Sequence, residues 1–305
     1  MSITSGVGEA FKNIPLSGSL EGWNDRLYLT PNENCTDAFE KLTRQPITGN
    51  TVIGSSGLCT LNIVALRGIK AASNPEKIEQ ILLIDRSPCT EYFWESMQGI
   101  MTSSPDRATA TDKIKAHLKE NQLLYCQNIV KALHSSPSFA RLSEAELREE
   151  IVQKVIDFLD QEIERGESFL SSDAYFAKIK RIFNENRCLF LRMDFQNEAS
   201  MALLAERMKE LHWSTDLIYL SNIAEFIDTE RRDESVDARR AAYISSIDKL
   251  TRQGTLFLKT VWRKCRGCEP ELTLALTRKS VKPLALNDMF PTTHFARCQS
   301  CRLQN

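Results

Sequence analysis

Short apolar runs alternate with longer amphipathic segments along most of the chain. Six runs have the length and composition of buried strands, and the first four end in small or acidic residues. The segments between them repeat apolar residues every three or four positions, which is typical of helices. This alternation predicts an α/β fold with a mainly parallel sheet and helices on both faces. The predicted strands begin at residues 51, 80, 188, 216, 254 and 271.

A long helical stretch separates the second predicted strand from the third. Its apolar positions recur at helical spacing, and Ser143 and Glu146 form the sequence pattern of a capping box, which predicts a helix start. Gly166 is expected to end that helix. Residues 105–183 are therefore predicted to form a helical insertion that acts as a lid or as an element that binds a substrate or a partner.

Composition and charge narrow the classes of function. The chain has 305 residues, of which 42% are hydrophobic, and this is enough for a packed core. A formal net charge of -1 gives no basis for electrostatic capture of nucleic acid or of an anionic membrane, so neither is predicted as a partner. No apolar run reaches the roughly 20 residues of a membrane span, and the N-terminus lacks a secretory signal pattern. We expect an intracellular, cytoplasmic protein, with a delivered effector as the alternative.

The first two predicted strands carry the main candidate for a ligand site. The first strand runs into a turn of small residues, and the glycines there allow a sharp bend and close approach of a ligand to the backbone. A helix predicted over 62–72 follows, and its N-terminus could hold a carboxylate or a phosphate. The second strand ends at Asp85, which could accept hydrogen bonds from ribose hydroxyls. The candidate ligand-binding turn consists of Gly54, Ser55, Ser56 and Gly57.

Polar residues also end the third and fourth predicted strands. Asp194 closes the third strand and could accept a hydrogen bond from an adenine amino group. Tyr219, Ser221 and Asn222 end the fourth strand and are the candidate catalytic residues. Turn and helix-cap geometry is the alternative for these positions, because Asp85 and Asp194 each precede a predicted helix.

The order of these pieces resembles the class I S-adenosylmethionine-dependent methyltransferase superfamily. The matching stretches are VIGSSGLC, LLIDRS, LRMDFQN and DLIYLSNIAEFI, which together cover the predicted sheet. The resemblance implies a Rossmann-like cofactor-binding domain formed by residues 51–104 and 184–305, with residues 1–50 as an N-terminal cap. It implies that the glycine turn holds the methionine part of the cofactor, Asp85 the ribose and Asp194 the adenine edge. It also implies methyl transfer to a small molecule or a protein bound under the helical insertion.

Three alternatives stay open. The Gly-Ser-Ser-Gly turn followed by Cys59 also resembles enzymes that transfer the aminocarboxypropyl arm of the same cofactor. The first predicted strand has no acidic residue before the glycines, which favours a non-catalytic scaffold that binds a protein partner. A nicotinamide-dependent oxidoreductase would use the same site, but it would need a third glycine and a Tyr-Lys or His catalytic pair.

Two Cys-x-x-Cys pairs near the C-terminus are candidate zinc ligands. They are separated by 29 residues, and four thiolates on two turns suit a tetrahedral structural zinc. Such an ion would staple the segment 265–301 to the sheet. Reduced free thiols are the alternative, as expected in a reducing compartment. The four candidate ligands are Cys265, Cys268, Cys298 and Cys301.

Overall fold

Strands and helices alternate along the chain as the sequence pattern predicts. The computed structural model describes residues 11, 35–55, 57–67, 78–126, 130, 142–221, 223, 227, 235–263, 271–285 and 289. The strands are β1 (Thr51–Ser55), β2 (Gln80–Asp85), β3 (Cys188–Arg192), β4 (Thr215–Ser221), β5 (Leu256–Arg263) and β6 (Glu271–Arg278). The helices are α1 (Thr36–Thr43), α2 (Leu58–Leu66), α3 (Pro88–Ser103), α4 (Arg107–Glu120), α5 (Glu144–Glu164), α6 (Asp173–Asn184), α7 (Glu198–Glu210) and α8 (Val236–Lys249).

The six strands form one sheet in the order β3-β2-β1-β4-β5-β6. β1 with β4, β2 with β3 and β4 with β5 pair in parallel, whereas β6 is antiparallel to β5. β1, β2 and β4 are almost entirely buried, which explains why they read as continuous apolar runs. The prediction of an α/β fold with a mainly parallel sheet is confirmed.

Sequence signals such as the capping box predicted some helix ends correctly, and the start of one helix was predicted wrongly. The Ser143 hydroxyl accepts from the Glu146 N–H, and the Glu146 carboxylate accepts from the Ser143 N–H at 2.7 Å, so the predicted capping box is present. Gly166 follows α5 with a φ of 73°, as expected at a helix end. The predicted start of α2 at residue 62 is wrong, because the helix begins at Leu58. All nine of its residues are buried, so no polar face marks where it starts.

Contacts group the described elements into two compact units. The first unit contains β2, β3 and helices α2 to α6, and the second contains β1, β4, β5, β6, α1, α7 and α8. The sequence-based boundaries at residues 50, 104 and 184 stay a prediction. Most of the expected N-terminal cap lies outside the described residues.

A buried ion pair organises the start of β1 and β4 in the second unit. Arg67 and Asp216 are both fully buried, and Nε and Nη2 of Arg67 donate to the carboxylate at 2.7 and 3.0 Å. The guanidinium also donates to the carbonyl oxygens of Gln45 and Pro46. Asp216 Oδ1 accepts in addition from the Thr48 N–H at 2.7 Å. The pair therefore joins the segment before β1 to the first residues of β4, and each charge is balanced by the other.

Gly49 shows how closely the backbones approach beside this pair. A Cβ at this position would overlap the Ser214 carbonyl oxygen and would lie 2.6 Å from the Asp216 nitrogen. These obstacles are backbone atoms, so they cannot move aside as a flexible side chain could. Glycine is therefore required by space at position 49, in the segment that the ion pair holds.

A buried carboxyl group links two helices of the first unit. Glu162 of α5 is 2% exposed, and its Oε2 accepts from Asn62 Nδ2 of α2 at 3.1 Å. Asn62 Oδ1 accepts in turn from the Phe169 N–H at 2.9 Å. Burial raises the pKa of Glu162 to about 7, and the hydrogen bond from Asn62 opposes this rise. Lys178 of α6 adds a second link by donating to the Val64 carbonyl oxygen at 2.7 Å.

Replacing Arg67 tests the buried ion pair. Arg67→Met should lower the free energy of unfolding by about 3–5 kcal/mol, because the Asp216 carboxylate would stay buried without its countercharge. Urea denaturation measures this loss. The double variant Arg67→Met/Asp216→Asn should lose less, since it also removes the uncompensated charge. Arg44→Met is the control, because the pair of Arg44 with Glu40 is 64% and 59% exposed and should contribute little. A double variant that is less stable than Arg67→Met would contradict this account.

The pH dependence of stability tests the Glu162 environment. The folded pKa of about 7 lies above the ordinary value of 4.5, so the folded chain retains a proton that the unfolded chain releases between these pH values. The associated stability, about 3 kcal/mol, is fully present below pH 4.5 and is lost as the pH rises through 7. Glu162→Gln should remove this dependence in urea titrations across that range. Glu164→Gln, at an exposed position of the same helix, should retain it.

Candidate functional site

The carboxyl ends of β1 and β4 bring several predicted site residues to one edge of the sheet. Gly54 and Ser55 are the last two residues of β1, and Tyr219 and Ser221 lie among the last three residues of β4. Gly54 pairs in register with Tyr219, and the strands run in parallel, so both ends lie on the same side. The strand order reverses between β1 and β4, and sheets of this type bind ligands at such a point.

Ser221 has an uncommon backbone conformation, with a φ of 47°. Asn186 and His212 also have positive φ, but each follows the C-cap of a helix, where the left-handed conformation is common. Ser221 instead ends a strand. A left-handed conformation has an energetic cost for a residue with a Cβ, and such residues are concentrated at ligand sites.

A register shift between β4 and β5 changes the direction of the Ser221 side chain. Tyr219 pairs with Leu258, but Ser221 pairs with Lys259, so Leu220 is an extra residue in β4. Side chains alternate along a strand and paired residues share a face, so Ser221 lies on the Lys259 face and Tyr219 on the other. Bulges of this kind often occur beside active sites. The candidate residues Tyr219 and Ser221 therefore do not share a face, and Tyr219 is only 2% exposed.

The ends of β2 and β3, in the first unit, carry the predicted acidic residues. Asp85 ends β2 and pairs in register with Arg192 of β3. Its Oδ1 accepts from the Ser87 N–H at 2.8 Å, directly before α3. The Ser87 side chain, at the N-cap position, makes no capping hydrogen bond of its own. Asp85 thus lies at the end of β2 and also accepts a hydrogen bond at the start of α3. Its position is compatible with the ligand-site interpretation and with the helix-cap interpretation.

Asp194 lies two residues beyond the end of β3 and is 8% exposed. Its Oδ2 is 3.3 Å from Nη1 of Arg86, the residue that follows Asp85. The carboxylate is therefore held beside a guanidinium.

Three buried polar atoms near these strand ends have no hydrogen-bond partner among the described residues. They are Ser87 Oγ, Thr90 Oγ1 and Arg192 Nε. Ser87 is 4% exposed and Thr90 is fully buried, although buried polar atoms are nearly always satisfied. All three atoms can donate, and they lie beside a helix N-terminus that offers further N–H groups. The group suits a ligand rich in acceptor oxygens. Sequence reasoning missed Ser87 and Thr90, although both directly follow the predicted strand tip.

Several predicted site residues lie outside the described residues. They include Ser56 of the glycine turn and Asn222 after β4, whereas the Gly57 carbonyl oxygen accepts from the Thr60 N–H at 3.1 Å at the start of α2. The candidate zinc ligands Cys265, Cys268, Cys298 and Cys301 also lie outside the described residues, so the zinc site stays a prediction.

The described part of the chain lacks two features, a metal-binding cluster and a membrane-spanning helix. No group of three or more His, Cys, Asp and Glu residues there could hold a metal ion. No described helix combines the length and the apolar character needed to cross a membrane.

Comparison with known protein families gives a match that covers most of the chain. No curated protein matches the chain. A family model described as "Domain of unknown function (DUF7790)" matches residues 28–266. The match contains β1 to β5 and the helices between β2 and β3, and it ends between Cys265 and Cys268. Because it covers more than half of the sequence, the chain belongs to the DUF7790 family.

Proposed function

We propose that this chain is an S-adenosylmethionine-dependent transferase, and that it transfers a methyl group. The observation that carries the proposal is Ser221, whose backbone is held in a left-handed conformation and whose side chain is redirected by a bulge. It stands at the end of β4, beside the strand that ends in Gly54, where the strand order reverses. Strain and a bulge at the place where a ligand is expected favour a binding site over a simple strand end.

The strand order supports a Rossmann-like architecture. The order β3-β2-β1-β4-β5-β6 is that of doubly wound sheets, which bind nucleotide-like ligands outside the carboxyl ends of the strands. Helices α4 to α6 lie between β2 and β3 along the chain, after α3, and correspond to the proposed helical insertion of residues 105–183. We propose that the methyl acceptor, a small molecule or a protein, binds under this insertion.

The resemblance implies which residues would bind each part of the cofactor. In the first unit, the Asp85 carboxylate can accept from two ribose hydroxyls. The hydroxyl groups of Ser87 and Thr90, which have no hydrogen-bond partner among the described residues, can donate to ribose oxygens. Asp194 would accept from the adenine amino group. In the second unit, the turn that starts at Gly54 would hold the methionine part.

Methyl transfer from a sulfonium requires mainly that the protein position the two reactants. When bound, the cofactor supplies a methyl group attached to a sulfonium, which is already a good leaving group. The protein has to align the acceptor with that carbon and exclude water, and alignment alone can contribute much of the rate enhancement. Ser221 and Asn222 are the proposed residues at the reacting centre, where they would align the cofactor's transferring arm and the acceptor by hydrogen bonds to both.

Titration of the purified chain with S-adenosylhomocysteine, the demethylated product, tests the proposal. Wild-type protein should bind it, and Asp85→Asn should lower the affinity by about 10-fold, because hydrogen bonds to a charged acceptor are lost. Isothermal calorimetry measures both. Asp106→Asn is the matched control, because Asp106 also caps a helix by accepting from a backbone N–H, that of Thr109, at 2.8 Å. A folded wild-type chain that binds neither cofactor nor product would overturn the proposal.

Ser221 offers a second test, in which stability and binding should separate. Ser221→Gly should be as stable as wild type or up to about 1 kcal/mol more stable, because glycine adopts a positive φ without strain. It should nevertheless bind S-adenosylhomocysteine several-fold more weakly, since the hydroxyl is lost. Thermal unfolding and calorimetry give the two quantities. His212→Gly, which also removes a side chain from a left-handed residue, should leave the affinity unchanged. Unchanged affinity in Ser221→Gly would contradict a role for its side chain.

A further inference from the structure

A cavity of about 480 Å³ lies beside the C-terminal ends of α7 and α8, within the second unit. The two helices pack against each other, and Ser214 and Thr215, at the start of β4, also line the cavity. It is therefore found at the amino edge of the sheet, whereas the proposed cofactor site is at the carboxyl ends of the strands. Its volume is in the range of sites for small molecules.

Large apolar side chains form part of the cavity lining. Met208 and Leu250 are each 4% exposed and Trp213 is 9% exposed. Ala202 and Ala205 of α7 also line the cavity, and their small side chains leave its volume open. An indole ring and a thioether both make favourable contacts with aromatic groups. The lining therefore suits a ligand with an aromatic body.

The charged residues of the lining are mostly positive. Lys209 and Lys249 belong to the last turns of α7 and α8, and Arg252 follows α8. Glu206 contributes the one carboxylate among the described residues that line the cavity. Lys249 Nζ lies 3.2 Å from Glu198 Oε1, so that cation is already paired. The single carboxylate disfavours a ligand with several negative charges.

The other two cations, Lys209 and Arg252, form no ion pair with any described carboxylate. Arg252 donates to the Thr48 carbonyl oxygen, whereas the Lys209 side chain has no polar contact within the part of the chain that the structure describes. Both residues are exposed as well as lining the cavity. A ligand carboxylate could therefore form a charge-assisted hydrogen bond with either group.

We propose that this cavity binds a small aromatic monocarboxylate. Its aromatic part would lie against Trp213 and Met208, and its carboxylate would pair with Lys209 and Arg252. The site is independent of the proposed function, since its lining contains none of the candidate cofactor or catalytic residues. Thr215 of the lining pairs in register with Thr51 of β1, so the bound ligand would lie beside the amino ends of β1 and β4.

Titration with 2-naphthoate and with its neutral amide, 2-naphthamide, tests the charge of the ligand. Wild-type protein should bind 2-naphthoate about 10-fold more tightly, because only the carboxylate pairs with the cations. Lys209→Gln should lower this preference several-fold, and Lys209→Gln/Arg252→Gln should remove it. Arg207→Gln is the matched control and should keep it, because Arg207 lies on the same helix, pairs with Glu210 at 2.6 Å and does not line the cavity. Isothermal calorimetry measures the affinities.

Filling the cavity tests the location of the ligand. Ala205→Leu places extra side-chain volume in the cavity and should abolish binding of both naphthalene compounds, with circular dichroism as the check that the chain is folded. Ala202→Leu serves the same purpose if Ala205→Leu does not fold. Binding that survives in the filled variant would overturn the site. So would a wild-type chain that binds neither compound or both equally, a preference that persists in Lys209→Gln/Arg252→Gln, or one that is lost in Arg207→Gln.

Discussion

The buried pair of Arg67 and Asp216 is the constraint on which the second unit depends. It joins the segment before β1 to the beginning of β4, and its remaining hydrogen-bonding groups are used by carbonyl oxygens and N–H groups of that segment. The close approach at Gly49 leaves this segment little room to move. Because the amino ends of β1 and β4 are fixed against each other, their carboxyl ends are held in register. The proposed site at Gly54 and Ser221 therefore depends on an interaction at the opposite edge of the sheet.

The first unit uses polar groups in its core in a different way. Asn62 is fully buried in α2 and is satisfied at both ends of its amide, by Glu162 and by the Phe169 N–H. An apolar contact would bury as much surface without fixing the rotation of the helix. Hydrogen bonds with defined directions can fix it, and Lys178 adds another at the Val64 carbonyl. The helix that follows the glycine turn is thus oriented by two helices of the stretch between β2 and β3.

The sequence predicted the alternation of strands and helices well, because a strand buried on both faces needs an unbroken apolar run, as β2 shows over Gln80–Asp85. It also predicted Gly54 and Asp85 at strand ends, since the apolar runs stop there. It could not predict the bulge at Leu220, which exists only in relation to the partner strand β5. The positive φ of Ser221 could not be predicted either, because a serine in the sequence gives no local signal for that conformation. The start of α2 was misplaced because a helix buried on every side has no amphipathic period.

The protonation of Glu162 has a consequence for the energetics of the whole molecule. The pKa of this carboxyl group is about 7 in the folded chain and has its ordinary value of 4.5 in the unfolded chain. The group therefore releases its proton when the chain unfolds in mildly acidic solution. The buffer accepts that proton and contributes its own heat of ionisation. A calorimetric unfolding enthalpy for this protein is therefore a property of the protein and its buffer together, and the intrinsic value is reached by extrapolation to a buffer with zero heat of ionisation.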